Sequence, residues 1–310
     1  MRGAVLGILG AKALALAGMA IFTARTARRV ERALPPAGRF IDVEGSRLHY
    51  IDRGSGPAIV MIHGLAGSSA NFTHSLVDLL AGDFRVVVLD RPGAGYSVRP
   101  RGAPAELPAQ ARVVAGLIAA LELDRPLVVG HSLGGAIALA LALDYPHLVR
   151  GLALVAPFTR PGNGVPAPFR GLWIRSPFVR ALVAHTVAVP LSIAGAKRAI
   201  AAVFAPEEPP HDFPTKGGGL LSLRPSAFIA ASEDLIAAHN GIAALSARYR
   251  ELTVPVSVLY GSDDAILDYE LNGLSLRDDL PQAEVTLIPG GHMLPVTVAL
   301  KTADWIVARA

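Results

Sequence analysis

Between an apolar run of strand length, Leu127–Gly130, and an apolar helical stretch that begins at Leu133, the chain carries Gly130-His131-Ser132-Leu133-Gly134. A G-x-S-x-G pentapeptide alone arises by chance. Placed between a strand and a helix, it requires a sharp, strained turn that lifts a serine hydroxyl above the strand end. Small residues must flank such a turn, because the backbone reverses tightly and the helix packs close. Gly130, Gly134 and Gly135 supply them.

The surrounding pattern agrees with a strand–turn–helix unit. Arg39–Val43 and Arg47–Ile51 read as a hairpin about Glu44-Gly45-Ser46. Ala58–Ile62, Arg85–Leu89, Leu127–Gly130 and Leu148–Val155 read as strands, with helices over Asn71–Leu80, Ala109–Leu121 and Leu133–Leu143. This alternation predicts an α/β fold whose parallel sheet is covered on both faces. From Thr159 to Arg250 the rhythm stops. Helical segments such as Phe178–Val187 and Ala194–Phe204 are separated by Pro and Gly clusters, and no strand signal appears. It resumes with strands Val254–Leu259 and Glu284–Ile288 and helices Tyr269–Leu280 and Val296–Ala308. With 52% hydrophobic and 17% charged residues the chain is not disordered. Having no cysteine, it has no disulfide framework, thiolate metal site or cysteine nucleophile.

A serine hydroxyl needs a base. His292, in Gly290-Gly291-His292-Met293 after the last strand, is the histidine placed to reach across the carboxyl edge of the sheet. His131 adjoins the serine with its ring expected to point elsewhere, and His63 is expected to shape its own loop. A carboxylate must fix the base's tautomer. Gly261-Ser262-Asp263-Asp264 supplies two, of which Asp264 is preferred over Asp263, with Asp268 further off. The oxyanion needs two backbone N–H donors: Leu133, directly after the serine, and Leu65, in His63-Gly64-Leu65-Ala66-Gly67.

These pieces, with Asp90-Arg91-Pro92-Gly93-Ala94-Gly95-Tyr96-Ser97, resemble the α/β-hydrolase fold superfamily, in its serine esterase and lipase-like branch. The order Ser132, Asp264, His292 is that fold's order. The resemblance covers about residues 39–158 and 251–310. It implies a mostly parallel eight-stranded sheet with a helical cap inserted after strand six, hence a core of residues 35–158 and 251–310, a cap of residues 159–250, and an N-terminal hydrophobic segment of residues 1–34. It implies no cofactor and no metal. A serine at the elbow argues against the family's dehalogenases and epoxide hydrolases, which use aspartate there. The expected activity is hydrolysis of a carboxylic ester with an apolar acyl part, on a small-molecule or lipid-like substrate. Carbon–carbon bond hydrolysis, cofactor-free perhydrolysis and a non-catalytic small-molecule receptor are the alternatives. The apolar cap residues Leu172, Trp173, Ile174, Phe178, Leu182, Val183, Val187, Val189, Leu191 and Ile193 are expected mostly to pack among themselves, the remainder lining an acyl pocket.

Charge is uneven. Residues 159–250 hold ten basic and five acidic residues, and residues 251–310 hold three and nine. No basic run is interleaved with aromatics, so nucleic acid is not expected as a partner. Arg170, Arg175, Arg180, Lys197 and Arg198 suggest an anionic membrane surface or an acidic acyl carrier. Gly3–Phe22 is an apolar stretch broken only by Lys12 and followed by Arg25, Arg28, Arg29 and Arg32. As a helix it is roughly 30 Å long, one hydrocarbon core. It reads as a membrane anchor with the catalytic domain in the cytoplasm by the positive-inside rule, as an export signal ending near Ala15-Leu16-Ala17, or as an amphipathic or packed N-terminal helix. Gly3, Gly7, Ala11 and Ala15 carry the four-residue spacing of a close-packed helix pair.

Overall fold

The computed structural model describes residues 2–162 and 164–310, with side chains described from Lys12 onward apart from residue 163. The chain opens with helix α1 (Arg2–Ala33), then forms β1 (Arg39–Val43) and β2 (Ser46–Arg53). Their connection is the pair Glu44-Gly45, both at positive φ, which matches the twist of a two-residue hairpin. The core follows as β3 (Ala58–Ile62), α2 (Ala70–Thr73), α3 (Leu76–Leu80), β4 (Arg85–Leu89), α4 (Leu107–Ala120), β5 (Leu127–His131), α5 (Leu133–Asp144) and β6 (Gly151–Val155). Helices α6 (Pro177–His185), α7 (Ala188–Phe204) and α8 (Pro225–Ser246) come next. The core then closes with β7 (Val256–Gly261), α9 (Tyr269–Asn272), β8 (Glu284–Ile288), α10 (Leu294–Thr297) and α11 (Ala299–Val307).

The eight strands form one sheet in the order β1-β2-β4-β3-β5-β6-β7-β8. β1–β2 and β2–β4 are antiparallel and the other pairs parallel. Strands β3, β5, β6 and β7 are buried at every position, which is why they read as unbroken apolar runs rather than as alternating ones. One face packs against α4, α5 and the C-terminal half of α8, the other against α2, α3 and α11. Helix α5 is apolar all round and buried from Leu133 to Ala142, as a helix wedged between sheet and neighbours must be.

Several helices are shorter than their periodicity predicts. The pattern over Asn71–Leu80 divides into α2 and α3, and that over Val296–Ala308 into α10 and α11. The span Tyr269–Leu280 is α9 followed by a 3-10 turn at Leu274–Asp278. Apolar spacing sees which face is buried; it does not see the local turn that redirects the axis.

The expected transmembrane helix is not shown. Among the described residues no single helix is long and apolar enough to cross a membrane; only α6 and α7, bent by 74°, pass by length and composition as a pair. The cytoplasmic orientation rests on that same span. The helix-pair expectation at Gly3, Gly7 and Ala11 falls where burial and packing lie outside the description. Helix α1 runs through the arginine flank without a break, and its C-terminal half docks on the rest of the chain. Thr23 Oγ1 donates to Thr186 O at 3.0 Å, Val30 is buried, and Tyr96 Oη donates to Leu34 O. Leu14, Leu16, Ile21 and Phe22 remain exposed.

Two cap expectations also change. Phe178, Leu182, Leu191 and Ile193 do not pack inside the cap but lie exposed on α6 and α7. Arg180, expected at an anionic surface, is buried: its Nε donates to Ser232 Oγ and its Nη1 to Glu233 Oε1, both at 3.0 Å. Glu233 and Ser232 of α8, not an external anion, satisfy it.

Candidate active site

The candidate residues all lie beyond the carboxyl ends of the parallel strands. Ser132 caps α5 with φ 54° and ψ −120°, a left-handed conformation that an L-residue holds only when its surroundings impose it. Those surroundings are visible. Ser132 N–H donates to Val155 O at 3.1 Å and Ser132 O accepts from Phe158 N–H at 3.0 Å. The glycines allow the close approach. A Cβ on Gly130 would lie 2.6 Å from Gly134 O, one on Gly134 would strike Ile62 O, and one on Gly135 would lie 2.5 Å from Pro157 Cβ.

His292 Nδ1–H donates to Asp264 Oδ2 at 2.7 Å, with both side chains almost wholly buried. The loops after β7 and β8 are bound to each other, Ser262 N to Ile288 O at 2.9 Å and Asp263 N to Gly290 O at 3.0 Å. Side chains at Gly261 would collide with the Gly290 and Gly291 carbonyls, so glycine is required there. Asp264 is itself oriented: its Oδ1 accepts from Ile266 N at 2.8 Å and Leu267 N at 3.0 Å. The two rival acids face elsewhere. Asp263 is exposed and accepts from Ser262 Oγ, while Asp268 caps α9.

The elbow and the histidine loop lie against each other. The His131 and His292 rings are 4.9 Å apart, and His131 Nε2–H donates to His292 O at 3.0 Å. Burial, and then the neighbouring His292, lower His131 to about 3, so it stays neutral and acts as a brace. With His292 Nδ1 committed to Asp264, Nε2 is the nitrogen left to take a proton. Among the described residues no hydrogen bond joins it to the Ser132 hydroxyl. Such contacts are commonly long before substrate binds and tighten in the complex.

Leu133 and Leu65 carry the two amides expected as oxyanion donors. Leu133 N–H is the first of α5 and so has no partner within the helix. Neither it nor Leu65 N–H makes a backbone hydrogen bond among the described residues. Gly64 lies directly over the serine, since a Cβ there would be 2.9 Å from Ser132 Cβ. His63 is buried in this loop; its Nδ1–H donates to Gly64 O at 2.8 Å and its Nε2 accepts from Arg91 N at 3.0 Å. Burial and the Arg91 charge lower it to about 3, which holds it as a neutral spacer.

The Asp90–Ser97 turn supports the same loop from below. Asp90 accepts from His49 Nδ1–H at 2.8 Å, Ser69 N at 2.6 Å and Tyr96 N at 2.8 Å. Burial alone would raise its pKa, but the bonds to His49 and Ser69 and the nearby imidazoles leave it lowered. From the other side, Glu207 accepts from Gly291 N at 3.1 Å, beside His292. Phe204 and Phe213 form an apolar cluster with Met293 and Val296 next to the histidine. Arg91 lies in the Asp90–Ser97 motif but carries no site role in the sequence reading, and no local pattern marks Glu207 or Asp234. Among the described residues no cluster of three histidines or acids is arranged to hold a metal ion.

A family model described as alpha/beta hydrolase fold matches residues 57–297. An uncharacterized protein of Mycobacterium tuberculosis is 38% identical over 132 residues, 43% of this chain, and the match spans only 38% of that relative's length. A 2-hydroxy-6-oxononadienedioate/2-hydroxy-6-oxononatrienedioate hydrolase of Paraburkholderia phymatum is 29% identical over 255 residues, 77% of this chain and 81% of that one. The crystal structure of a bacterial membrane phospholipase A superposes with a TM-score of 0.70 at 25% identity, over 99% of this chain and 97% of that one.

Proposed function

Because the chain belongs to the alpha/beta hydrolase fold family, we propose that it is a serine hydrolase cleaving a carboxylic ester with an apolar acyl part. The observation that carries the proposal is the buried His292–Asp264 pair beside a serine held at φ 54°. Ser132 Oγ attacks the ester carbonyl as its proton passes to His292 Nε2, and Asp264 stabilises the imidazolium. The oxyanion takes hydrogen bonds from Leu65 N–H and Leu133 N–H. As the tetrahedral intermediate collapses, the proton goes to the departing alkoxide, leaving an acyl-serine. Water, deprotonated by His292, then attacks the acyl carbon, and the returning proton restores Ser132.

Two observations support an apolar, lipid-like acyl group. One is the Phe204, Phe213, Met293 and Val296 cluster beside His292; the other is likeness over nearly the whole chain to a membrane phospholipase A. The same likeness, with the exposed apolar side chains of α1, α6 and α7, supports placing the protein on a lipid surface. A second activity, hydrolysis of a carbon–carbon bond next to a ketone, is favoured by the Paraburkholderia phymatum relative; product analysis separates the two.

The test is p-nitrophenyl ester turnover by the wild type and Ser132→Ala. Loss of about 10³-fold or more is expected, together with fluorophosphonate labelling of the wild type only. Turnover by Ser132→Ala near the wild-type rate would remove the proposal.

A further inference from the structure

Gly64 and Leu65 share one peptide group. In a trans peptide the C=O and N–H point in opposite directions, and the only cis bond among the described residues is Ala205–Pro206. Whatever holds the Gly64 oxygen therefore aims the Leu65 N–H. That oxygen accepts from Arg91 Nη2 at 3.0 Å and from His63 Nδ1 at 2.8 Å, and Arg91 Nε donates to His63 O at 3.0 Å. One guanidinium thus clamps two successive carbonyls of the loop over the serine.

The guanidinium is held in turn by Asp234 of the cap and by Gln110 of α4. Arg91 Nη1 donates to Asp234 Oδ2 at 2.6 Å and to Gln110 Oε1 at 2.8 Å. Asp234 lies on α8, 143 residues along the chain, and both ends of the pair are about 1% exposed. Its second oxygen accepts from Arg99 Nη1 at 2.6 Å, and Arg99 and Arg180 share Glu233. A buried ion pair seldom adds net stability over apolar packing, because both charges must be desolvated. What it provides is one fixed geometry for a planar, multidentate donor.

We propose that Arg91 and Asp234 are positioning residues for the oxyanion site, coupling the seating of the cap on the core to the orientation of the Leu65 amide. The proposal rests on the assignment of Leu65 N–H as an oxyanion donor. Without the carboxylate of Asp234, Arg91 keeps only the neutral Gln110 oxygen at Nη1 and loses the charged anchor that presses it on Gly64 O. The Gly64–Leu65 peptide can then rotate its N–H away from the carbonyl carbon's oxygen.

The experiment compares wild type, Asp234→Asn, Arg91→Lys and Arg180→Gln in p-nitrophenyl ester turnover, in affinity for a trifluoromethyl ketone, and in melting temperature. Removing one oxyanion donor outright costs about 10²–10³ in kcat; misaiming it is expected to cost about tenfold or more. Asp234→Asn and Arg91→Lys should lower kcat by that factor, leave KM within about twofold, and weaken the ketone in proportion. Arg180→Gln, which cuts the network inside the cap, should lower the melting temperature while keeping kcat and ketone affinity. If Asp234→Asn does not fold, Arg91→Lys decides, since it keeps the charge facing Asp234 but cannot span both carbonyls. The proposal is overturned if folded variants at both positions keep wild-type kcat and ketone affinity. It is equally overturned if Arg180→Gln reproduces their losses. Failure of the active-site assignment shows separately, as turnover in Ser132→Ala.

Discussion

Asp264→Asn tests the site at one atom. Asp264 Oδ1 accepts two backbone N–H groups, from Ile266 at 2.8 Å and Leu267 at 3.0 Å, while Oδ2 faces His292 Nδ1 at 2.7 Å. The asparagine must keep its oxygen towards the two amides. Turning its NH₂ there would leave two buried donors unsatisfied, at about 1–3 kcal/mol each. The NH₂ therefore faces His292 and donates to Nδ1, which moves the imidazole proton to Nε2. The base then meets the serine already protonated. In the serine-protease triad the wrong tautomer costs about 10⁴-fold, or about 5.4 kcal/mol of barrier at 1.36 kcal/mol per decade. The same loss in kcat is expected here, with the fold kept, because every hydrogen-bond position stays filled. Asp263→Asn is the companion: its exposed side chain does not touch His292, so its rate should stay within about twofold of wild type. The assay is p-nitrophenyl ester turnover with melting temperatures and fluorophosphonate labelling rates. A folded Asp264→Asn protein within about tenfold of the wild-type rate would refute the tautomer reasoning.

Acid should destabilise the fold through His63 and His131. Both are lowered from 6.5 to about 3 by burial, so between those values the unfolded chain binds protons that the folded chain does not. Stability is complete above about 6.5 and falls on acidification, at roughly 1.4 kcal/mol per pH unit per histidine. Melting temperatures at pH 7 and pH 4.5 check this, and equal values would contradict it. On vesicles, the full chain should sediment more with anionic than with neutral lipid, and less at raised ionic strength. The exposed Arg170, Arg175, Lys197 and Arg198 carry the charge, with Phe178 and Leu191 the apolar contact. Equal sedimentation with both lipids, unaffected by salt, would remove the charge contribution.

The cap is bound to both halves of the site. Asp234 reaches the loop over the serine through Arg91, and Glu207 reaches the histidine loop through Gly291 N.

What was legible in the sequence was local. The strand–Gly-His-Ser-Leu-Gly–helix unit, the unbroken apolar strands and the loops bearing Asp264 and His292 each follow from adjacent residues and a short-range rule: only glycine fits, or only an apolar side chain is buried. Asp264 is preferred over Asp263 in the sequence only through the G-x-x-D spacing from Gly261; the physical reason, two amides holding one oxygen and His292 the other, exists only in three dimensions. Arg180 looked like one more surface charge, and becomes an interior one because α8 brings Glu233 to it. Asp234 gave no signal at all, since its partner is 143 residues away. Short-range chemistry determined which residues are candidates for the site and which strands must lie inside. The packing of the cap decided which charges are buried, how α1 is held and what aims the Leu65 amide. Those contacts depend on distance through space, which spacing along a chain does not encode.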